Sequence, residues 1–225
     1  MKPLQLDDFL ITGRTFEEYV AFFDLNAQTM KNMRVLDCPS GASSFIAEAK
    51  SRGIAASGCD ILYCYDRDAL RAQGEKSIEK IYTDTSWMAD NNFDFYHSIE
   101  RHKEHRVGAL EAFCTDYNTK DYWFAELPKL QYADDSFDLV LSSHLLFVYD
   151  DRLDLAFHEA SITEMLRIGN EVRIFPLVDY KNSRVDEPDN LSPFAYQIAE
   201  KFGGEIVKVG FEFQKNGGYM MRIRR

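Results

Sequence analysis

Long apolar runs, paired cysteines and positive charge are all scarce in this sequence. No run of about 18 apolar residues occurs, and residues 1–8 lack the basic-then-apolar layout of a secretory signal, so we expect no membrane association and a cytoplasmic protein. The four cysteines form no CxxC pair and no zinc-ligand spacing, which predicts free, buried thiols. The formal net charge of −11 disfavours a nucleic acid partner, because phosphate neutralisation supplies most of that affinity. A small-molecule or protein partner is favoured.

The length and composition are those of a chain that can bury one sizeable core. Its 225 residues are 45% hydrophobic, and no segment rich in proline, glycine or serine divides them. We find no internal repeat and no low-complexity tract. The prediction is one domain over residues 1–225, with the oligomeric state left open.

The most informative stretch is residues 35–45, where an apolar strand meets a turn of small residues. Val35 and Leu36 are apolar, the turn residues have little or no side chain to keep a ligand off the backbone, and Ser43 or Ser44 can cap a following helix. The free N–H groups at the start of that helix would point into the gap after the strand. This pattern predicts a ligand-binding turn.

A second strand, predicted over residues 54–58, ends at Cys59 and Asp60. In open α/β sheets, ligands bind at the carboxyl ends of strands, where an acidic residue can accept both hydroxyls of a ribose. Asp60 fits that role. The alternative is a helix cap or a surface acid.

The remaining pattern predicts an α/β sheet. Thr15 and Glu18 form a capping box that starts a helix. Because a tight turn at residues 215–218 joins the last two strands, that pair must be antiparallel, whereas strands joined by helices are parallel. Further strands are predicted over residues 122–125, 137–142, 171–177, 205–213 and 219–223, and helices over residues 152–166 and 192–202.

Residues 61–121 are too many for one crossover helix and predict a helical insertion between the second and third strands. Asn91 or Asn92 is expected to cap one of its helices. The segment is rich in aromatic residues, and we predict that Tyr65, Trp87 and Tyr96 line a substrate pocket, the alternative being plain core.

Three side chains of the insertion suggest a metal site. His102, Glu104 and His105 carry the right atoms, but their spacing supplies too few ligands for a tetrahedral or octahedral site. We expect a solvated face of a charged helix over residues 100–106, and no metal.

Residues 35–45 and 130–141 resemble the class I S-adenosylmethionine-dependent methyltransferase family. The second segment, LQYADDSFDLVL, is similar to the family's "LPF-x-D-x-S-FD-L-V" pattern, and the terminal hairpin is the family's sheet signature. The resemblance covers the chain from about residue 15 onward. It implies a Rossmann-like fold with a mostly parallel seven-stranded sheet, a C-terminal antiparallel hairpin strand and a helical insertion.

The resemblance also implies the site residues. Asp60 would bind the ribose, and Glu126 would face the adenine amino group unless it is a solvated loop acid. Arg14 and Tyr19 would close over the methionine end. The residues implied to bind the cofactor, S-adenosylmethionine, are Asp37, Cys38, Pro39, Gly41, Ser43, Asp60, Ile61, Glu126, Leu127, Ser142 and Ser143.

His144 is the catalytic candidate, because it follows the fourth strand at the ligand edge and its side chain titrates near neutrality. We predict that it contacts the methyl acceptor. The alternative is a hydrogen-bonded histidine that orients its loop.

The turn departs from the family's D-x-G-x-G-x-G loop, since Pro39 and Ser43 replace two of the three glycines and only Gly41 remains. Compact replacements suit a cofactor without phosphates, whereas a pyrophosphate would lose N–H donors, so a nicotinamide-dependent oxidoreductase is disfavoured. We therefore predict methyl transfer to a small-molecule acceptor. The alternative is a non-catalytic protein of the same fold that serves as a binding or interaction surface.

Overall fold

The computed structural model describes residues 10–83, 88, 91–118, 120–181, 186 and 188–225. Within this part of the chain the strands are β1 Arg34–Asp37, β2 Ala55–Asp60, β3 Tyr122–Phe124, β4 Phe137–Ser143, β5 Gly169–Phe175, β6 Glu205–Lys208 and β7 Tyr219–Arg224. The α-helices are α1 Phe16–Phe23, α2 Ala27–Met30, α3 Phe45–Ser51, α4 Arg67–Thr83, α5 Ile99–Asp116, α6 Leu155–Ile168 and α7 Pro193–Phe202. A 3-10 helix covers Ile61–Cys64.

The seven described strands form one sheet in the order β3-β2-β1-β4-β5-β7-β6. Every pair from β3 to β5 is parallel, and β7 is antiparallel to both of its neighbours, β5 and β6. This confirms the predicted mostly parallel seven-stranded sheet with an antiparallel hairpin strand.

Helices cover both faces of the sheet because successive side chains of a strand point to opposite faces. Along β4, Leu139 and Leu141 belong to one core cluster and Val140 to the other. Val35 and Leu36 divide in the same way along β1. The first cluster packs beneath α1, α3 and α5, and the second beneath α6 and α7.

The insertion between β2 and β3 is helical, as predicted, and consists in its described part of the 3-10 helix, α4 and α5. The predicted solvated face of α5 is wrong. His102 and Arg106 are buried, because α5 packs onto the sheet with Phe113 and Cys114 in the core and carries these polar residues inward. The prediction of buried thiols holds for three cysteines but not for Cys64, which is exposed.

Several predicted element boundaries are wrong. The strand predicted over residues 205–213 ends at Lys208. Phe211 and Phe213 do not continue the strand pairing. Their rings pack against Phe22 and Tyr96, and this packing explains the apolar alternation in the sequence. The helix predicted from residue 152 begins at Leu155, where the Asp154 side chain accepts the N–H of Phe157.

The helix predicted to start at Asn91 or Asn92 is also wrong, because residues 92–98 are not helical and residues 94–96 form a turn. The Asn92 side chain accepts the N–H of Asp94 and stabilises a turn. The helix α5 begins at Ile99, and Ser98 is its cap. The capping residue of this helix is therefore Ser98 and not Asn91 or Asn92.

Over the described residues, we find no helix that is both long and apolar enough to cross a membrane.

Candidate active site

A cavity of about 1030 Å³ opens at the carboxyl ends of β1, β2 and β4. The turn after β1 forms its floor, and Asp60 at the end of β2 and Ser143 at the end of β4 stand on its walls. The side away from the sheet is closed by Leu10, the end of α4 and the loop that precedes α6. This is the edge at which ligands bind in open α/β sheets.

Most of the predicted site residues line this one cavity, although they come from distant parts of the chain. Its wall includes Arg14 and Tyr19 from the N-terminal segment. Of the residues predicted to bind cofactor or methyl acceptor, those in the wall are Cys38, Pro39, Gly41, Ser43, Asp60, Ile61, Glu126, Leu127, Ser143 and His144.

The structure places the other predicted residues elsewhere. Asp37 and Ser142 are fully buried beneath the cavity, and Ser142 points to the opposite face of β4 from Ser143 because neighbouring strand residues alternate. Tyr65 is exposed outside the cavity wall. Tyr96 is buried, and its hydroxyl donates to Glu18 Oε1 at 2.6 Å. Trp87 lies outside the described residues.

Asp60 caps a helix and also lines the cavity. Its Oδ1 accepts the N–H of Leu62 at 2.9 Å and caps the 3-10 helix, and its Oδ2 accepts the N–H of Gly41 at 2.8 Å. Burial raises the pKa of Asp60 to about 6, against the opposing effect of these backbone hydrogen bonds. Each carboxylate oxygen can accept a second hydrogen bond, so Asp60 retains acceptor capacity toward the cavity.

Asp37 holds the turn from below. Its carboxylate accepts the Tyr19 hydroxyl at 2.8 and 3.0 Å and the Ser40 hydroxyl at 2.7 Å. Burial raises the pKa of Asp37 to about 7, although both hydroxyls favour the ionised form.

Four backbone N–H groups of the turn are used within the protein. Ser40 donates to the carbonyl of Cys59, Gly41 to Asp60, Ser43 to the carbonyl of Ser40, and Ser44 to the carbonyl of Arg14. Gly41 has φ +53°, in the left-handed region that favours glycine. Phosphate-binding turns require several free N–H donors, and these four donors are already satisfied.

His144 is held in an unusual conformation at the end of β4. Its φ is +58°, its N–H donates to the carbonyl of Phe175 at 2.8 Å, and its ring packs against Phe22 and Phe175. The Nδ1 atom lies 2.7 Å from the Ser143 hydroxyl. Burial lowers the pKa of His144 well below its ordinary value, and Arg14 and Arg106 add to the effect. The expectation that it titrates near neutrality is wrong, and the imidazole is neutral at pH 7.

A buried ionic network lies beside the cavity and was missed in the sequence. The guanidinium of Arg106 contacts Glu18, the carbonyl of Gly13 and the Tyr96 hydroxyl, which is 2.8 Å away. Burial opposes ionisation of Glu18, but Arg106 and Arg14 lower the pKa of its carboxyl to about 2. Arg14 is a second guanidinium beside a single carboxylate, and it lines the cavity wall. In the sequence, the one signal at any of these residues is the capping box that includes Glu18.

A whole-length relative decides the family. The chain is 32% identical over 229 residues to the uncharacterized protein MJ0045 of Methanocaldococcus jannaschii, and the match covers 100% of both chains. The chain belongs to the MJ0045 family. No protein-family model matches it.

Solved structures similar to this MJ0045-family chain include three methyltransferases. The methyltransferase domain of bacterial CtHen1 is 13% identical with a TM-score of 0.44, covering 93% of this chain and 97% of that one. A methyltransferase from Aquifex aeolicus is 13% identical with a TM-score of 0.38, covering 98% and 97%. One from Methanosarcina mazei is 14% identical with a TM-score of 0.37, covering 87% and 73%. The strand order of the sheet and the antiparallel β7 are those of a class I methyltransferase-like fold.

Proposed function

We propose that this protein is an S-adenosylmethionine-dependent methyltransferase acting on a small-molecule acceptor. The observation that supports the proposal most is the cavity at the ends of β1, β2 and β4, in which Asp60 stands on the wall above the Gly41 turn. One drug-sized ligand needs a pocket of about 300–1,000 Å³. A volume of about 1030 Å³ lies at the upper end of that range and is large enough for this cofactor.

The residues in the wall fit the parts of that cofactor. Asp60 would accept the ribose hydroxyls, while Ile61 and Leu127 would flank the adenine and Glu126 would accept its amino group. The methionine end would lie beside Gly41. The Arg14 guanidinium, which reaches the cavity from beside the same turn, would hold the carboxylate there.

The pattern of used N–H groups favours this cofactor over a dinucleotide. A pyrophosphate needs backbone donors at the turn, and the N–H groups of Ser40, Gly41, Ser43 and Ser44 already have partners. S-adenosylmethionine carries no phosphate and makes no such demand on the turn.

The cofactor supplies an activated methyl group when bound, so the protein chiefly has to align the methyl acceptor and exclude water. His144 stands at the carboxyl end of β4, and beyond it the wall is formed by largely apolar and aromatic side chains, including Val148, Tyr149, Tyr180 and Phe213. This composition suits a small organic methyl acceptor, and the net charge of −11 disfavours nucleic acid as the substrate.

Isothermal titration calorimetry of the full-length protein tests the proposal, with S-adenosylmethionine, its demethylated product and NADH as separate titrants. We expect saturable binding of the first two and none of NADH. Absence of heat with both sulfur compounds at millimolar concentration would contradict the proposal and support a non-catalytic binding protein. Tight binding of NADH alone would support an oxidoreductase. Thermal-shift screening of metabolites with the demethylated product present would then identify the methyl acceptor.

A further inference from the structure

Arg14 is a partly buried positive charge in the cavity wall. Its Nη1 donates to the Thr12 hydroxyl at 2.8 Å and to the carbonyls of Thr12 and Gly13, both at 3.3 Å. Among the described residues, Arg14 forms no ion pair, and its Nε and Nη2 make no hydrogen bond, although the chain has 37 acidic residues against 26 basic ones. A guanidinium has five N–H donors, so three of them remain for a ligand.

A small side pocket of about 30 Å³ adjoins the cavity beside this guanidinium. Arg14, His144 and Tyr180 border both spaces. The described wall of the side pocket holds the guanidinium groups of Arg14 and Arg106 but no carboxylate. Arg106 is paired with buried Glu18, which does not line the pocket, so the positive charge of Arg14 stays without a partner. A space of this size holds about two water molecules, so a ligand group that enters it must be small.

Binding of the cofactor would not neutralise this charge. S-adenosylmethionine carries a sulfonium, an ammonium and a carboxylate, so the molecule brings a net positive charge of its own. Its carboxylate can use two of the free Arg14 donors and leaves the third. The acids in the described cavity wall lie elsewhere, since Asp60 and Glu126 follow β2 and β3 and Asp154 caps α6. Because charges interact strongly in a partly enclosed cavity, a cationic methyl acceptor is repelled and an anionic one is attracted.

We propose that the methyl acceptor is a small organic anion and that Arg14 binds its negatively charged group at the mouth of the side pocket. This inference rests on the proposed function, because it names the class of compound that the same cavity would methylate. The N–H donors of Nε and Nη2 that the cofactor leaves free make charge-assisted hydrogen bonds to the anion. Tyr149, Tyr180 and Phe213 form an aromatic wall that suits an apolar or planar body.

Three probes of nearly equal shape and different charge test the proposal. At neutral pH, benzoate is an anion, benzamide is uncharged and benzamidine is a cation. Each would be titrated calorimetrically into the full-length protein in the presence of the demethylated cofactor product. We expect benzoate to bind about tenfold to a hundredfold more tightly than benzamide, because hydrogen bonds between charged groups are the stronger ones, and benzamidine not to bind. Benzamidine binding as tightly as benzoate, or no binding of benzoate, would overturn the proposal without any variant.

Substitution of Arg14 tests whether this side chain is responsible. Arg14→Gln should lower the affinity for benzoate about tenfold or more, to the level of benzamide, and leave the affinity for benzamide unchanged. Arg14→Lys keeps the charge and should retain part of the preference. Arg101→Gln is the matched control, because it removes the same charge from an exposed position of α5 outside the cavity wall. Full preference for benzoate in Arg14→Gln, or an equal loss in the control, would refute the role of Arg14.

The same titrations without the demethylated product separate this inference from the proposed function. A preference for benzoate that depends on Arg14, in a protein that binds no S-adenosylmethionine, would leave an anion site and disprove the function. Binding of S-adenosylmethionine by a protein that ranks the three probes without regard to charge would disprove the anionic acceptor and leave the function standing.

Discussion

Asp60 Oδ2 accepts the backbone N–H of Gly41 at 2.8 Å, although the two residues are 19 positions apart in the chain. One carboxylate thus fastens the turn after β1 to the end of β2 and also stands on the cavity wall. Any substitution of Asp60 therefore acts on the shape of the site as well as on a ligand.

Replacement of Asp60 should weaken cofactor binding. We expect Asp60→Ala to cost about 1–3 kcal/mol of affinity for the demethylated cofactor product, because charge-assisted hydrogen bonds are lost. Calorimetric dissociation constants measure this. Asp66→Ala is the control, since Asp66 also caps a helix, through a 2.8 Å bond from Ala69 N–H, but does not line the cavity. An unchanged constant for Asp60→Ala, or an equal loss in the control, would contradict the ribose role.

Gly41 should resist substitution for reasons of backbone conformation alone. A Cβ built at Gly41 meets no atom within 4 Å, but its φ of +53° is unfavourable for other residues. Gly41→Ala should therefore reduce the free energy of unfolding by about 1–2 kcal/mol in urea titrations. Gly108→Ala is the opposite case, because Gly108 lies inside α5 with equally open space and no positive φ. It should stabilise by about 0.5–1 kcal/mol, and destabilisation by both would argue against a backbone cause.

The carboxyl group of Asp37 should make the protein less stable as the pH rises from about 4 to about 7. Its pKa is about 7 in the folded protein against 3.8 as the reference value, so the folded state binds more protons within this window and stability falls as they are lost. Asp37→Asn removes this dependence, which amounts to about 4 kcal/mol over the whole window at about 1.4 kcal/mol per pKa unit. Melting temperatures of both proteins across the window measure it.

The control for Asp37 is Asp138→Asn, because Arg34 lowers the pKa of the Asp138 carboxyl. Its stabilising effect is lost only at more acid pH, so this variant should keep the slope of the native protein across the upper part of the window. If native and Asp37→Asn melting temperatures run parallel, Asp37 is not the group responsible.

The pair of Glu18 and Arg106 should be indispensable to the fold, because both side chains are buried. Arg106→Met leaves the buried Glu18 carboxylate without the guanidinium that is hydrogen-bonded to it, and should cost about 3–5 kcal/mol of unfolding free energy. The double variant with Glu18→Gln should cost less than the two single changes added together, as a double-mutant cycle would reveal. Arg34→Met breaks the exposed pair with Asp138 and should cost far less, because solvent screens surface ion pairs. Equal losses for Arg106→Met and Arg34→Met would contradict this account.

The parts of the site that follow from neighbouring residues could be predicted from the sequence. The capping box at Thr15 is present, and the turn after β1 and the acid at the end of β2 meet at one cavity. The ionic network could not be predicted, because Glu18 lies in α1, Tyr96 in the turn before α5 and Arg106 in α5. These residues meet only in the folded chain, and their spacing in the sequence does not indicate the contact. Even the neutral state of His144 depends on burial and on two arginines distant in sequence.

Among the strands that the structure describes, β6 pairs with β7 alone. During synthesis on the ribosome, residues 205–208 emerge before residues 219–224 but have no ladder to join until the later segment arrives. Until that moment β5 also keeps an open edge, of the kind that invites pairing with other chains. Pairing of β7 therefore covers the edge of β5, and a nascent chain that has not yet made this pairing exposes that edge to other chains.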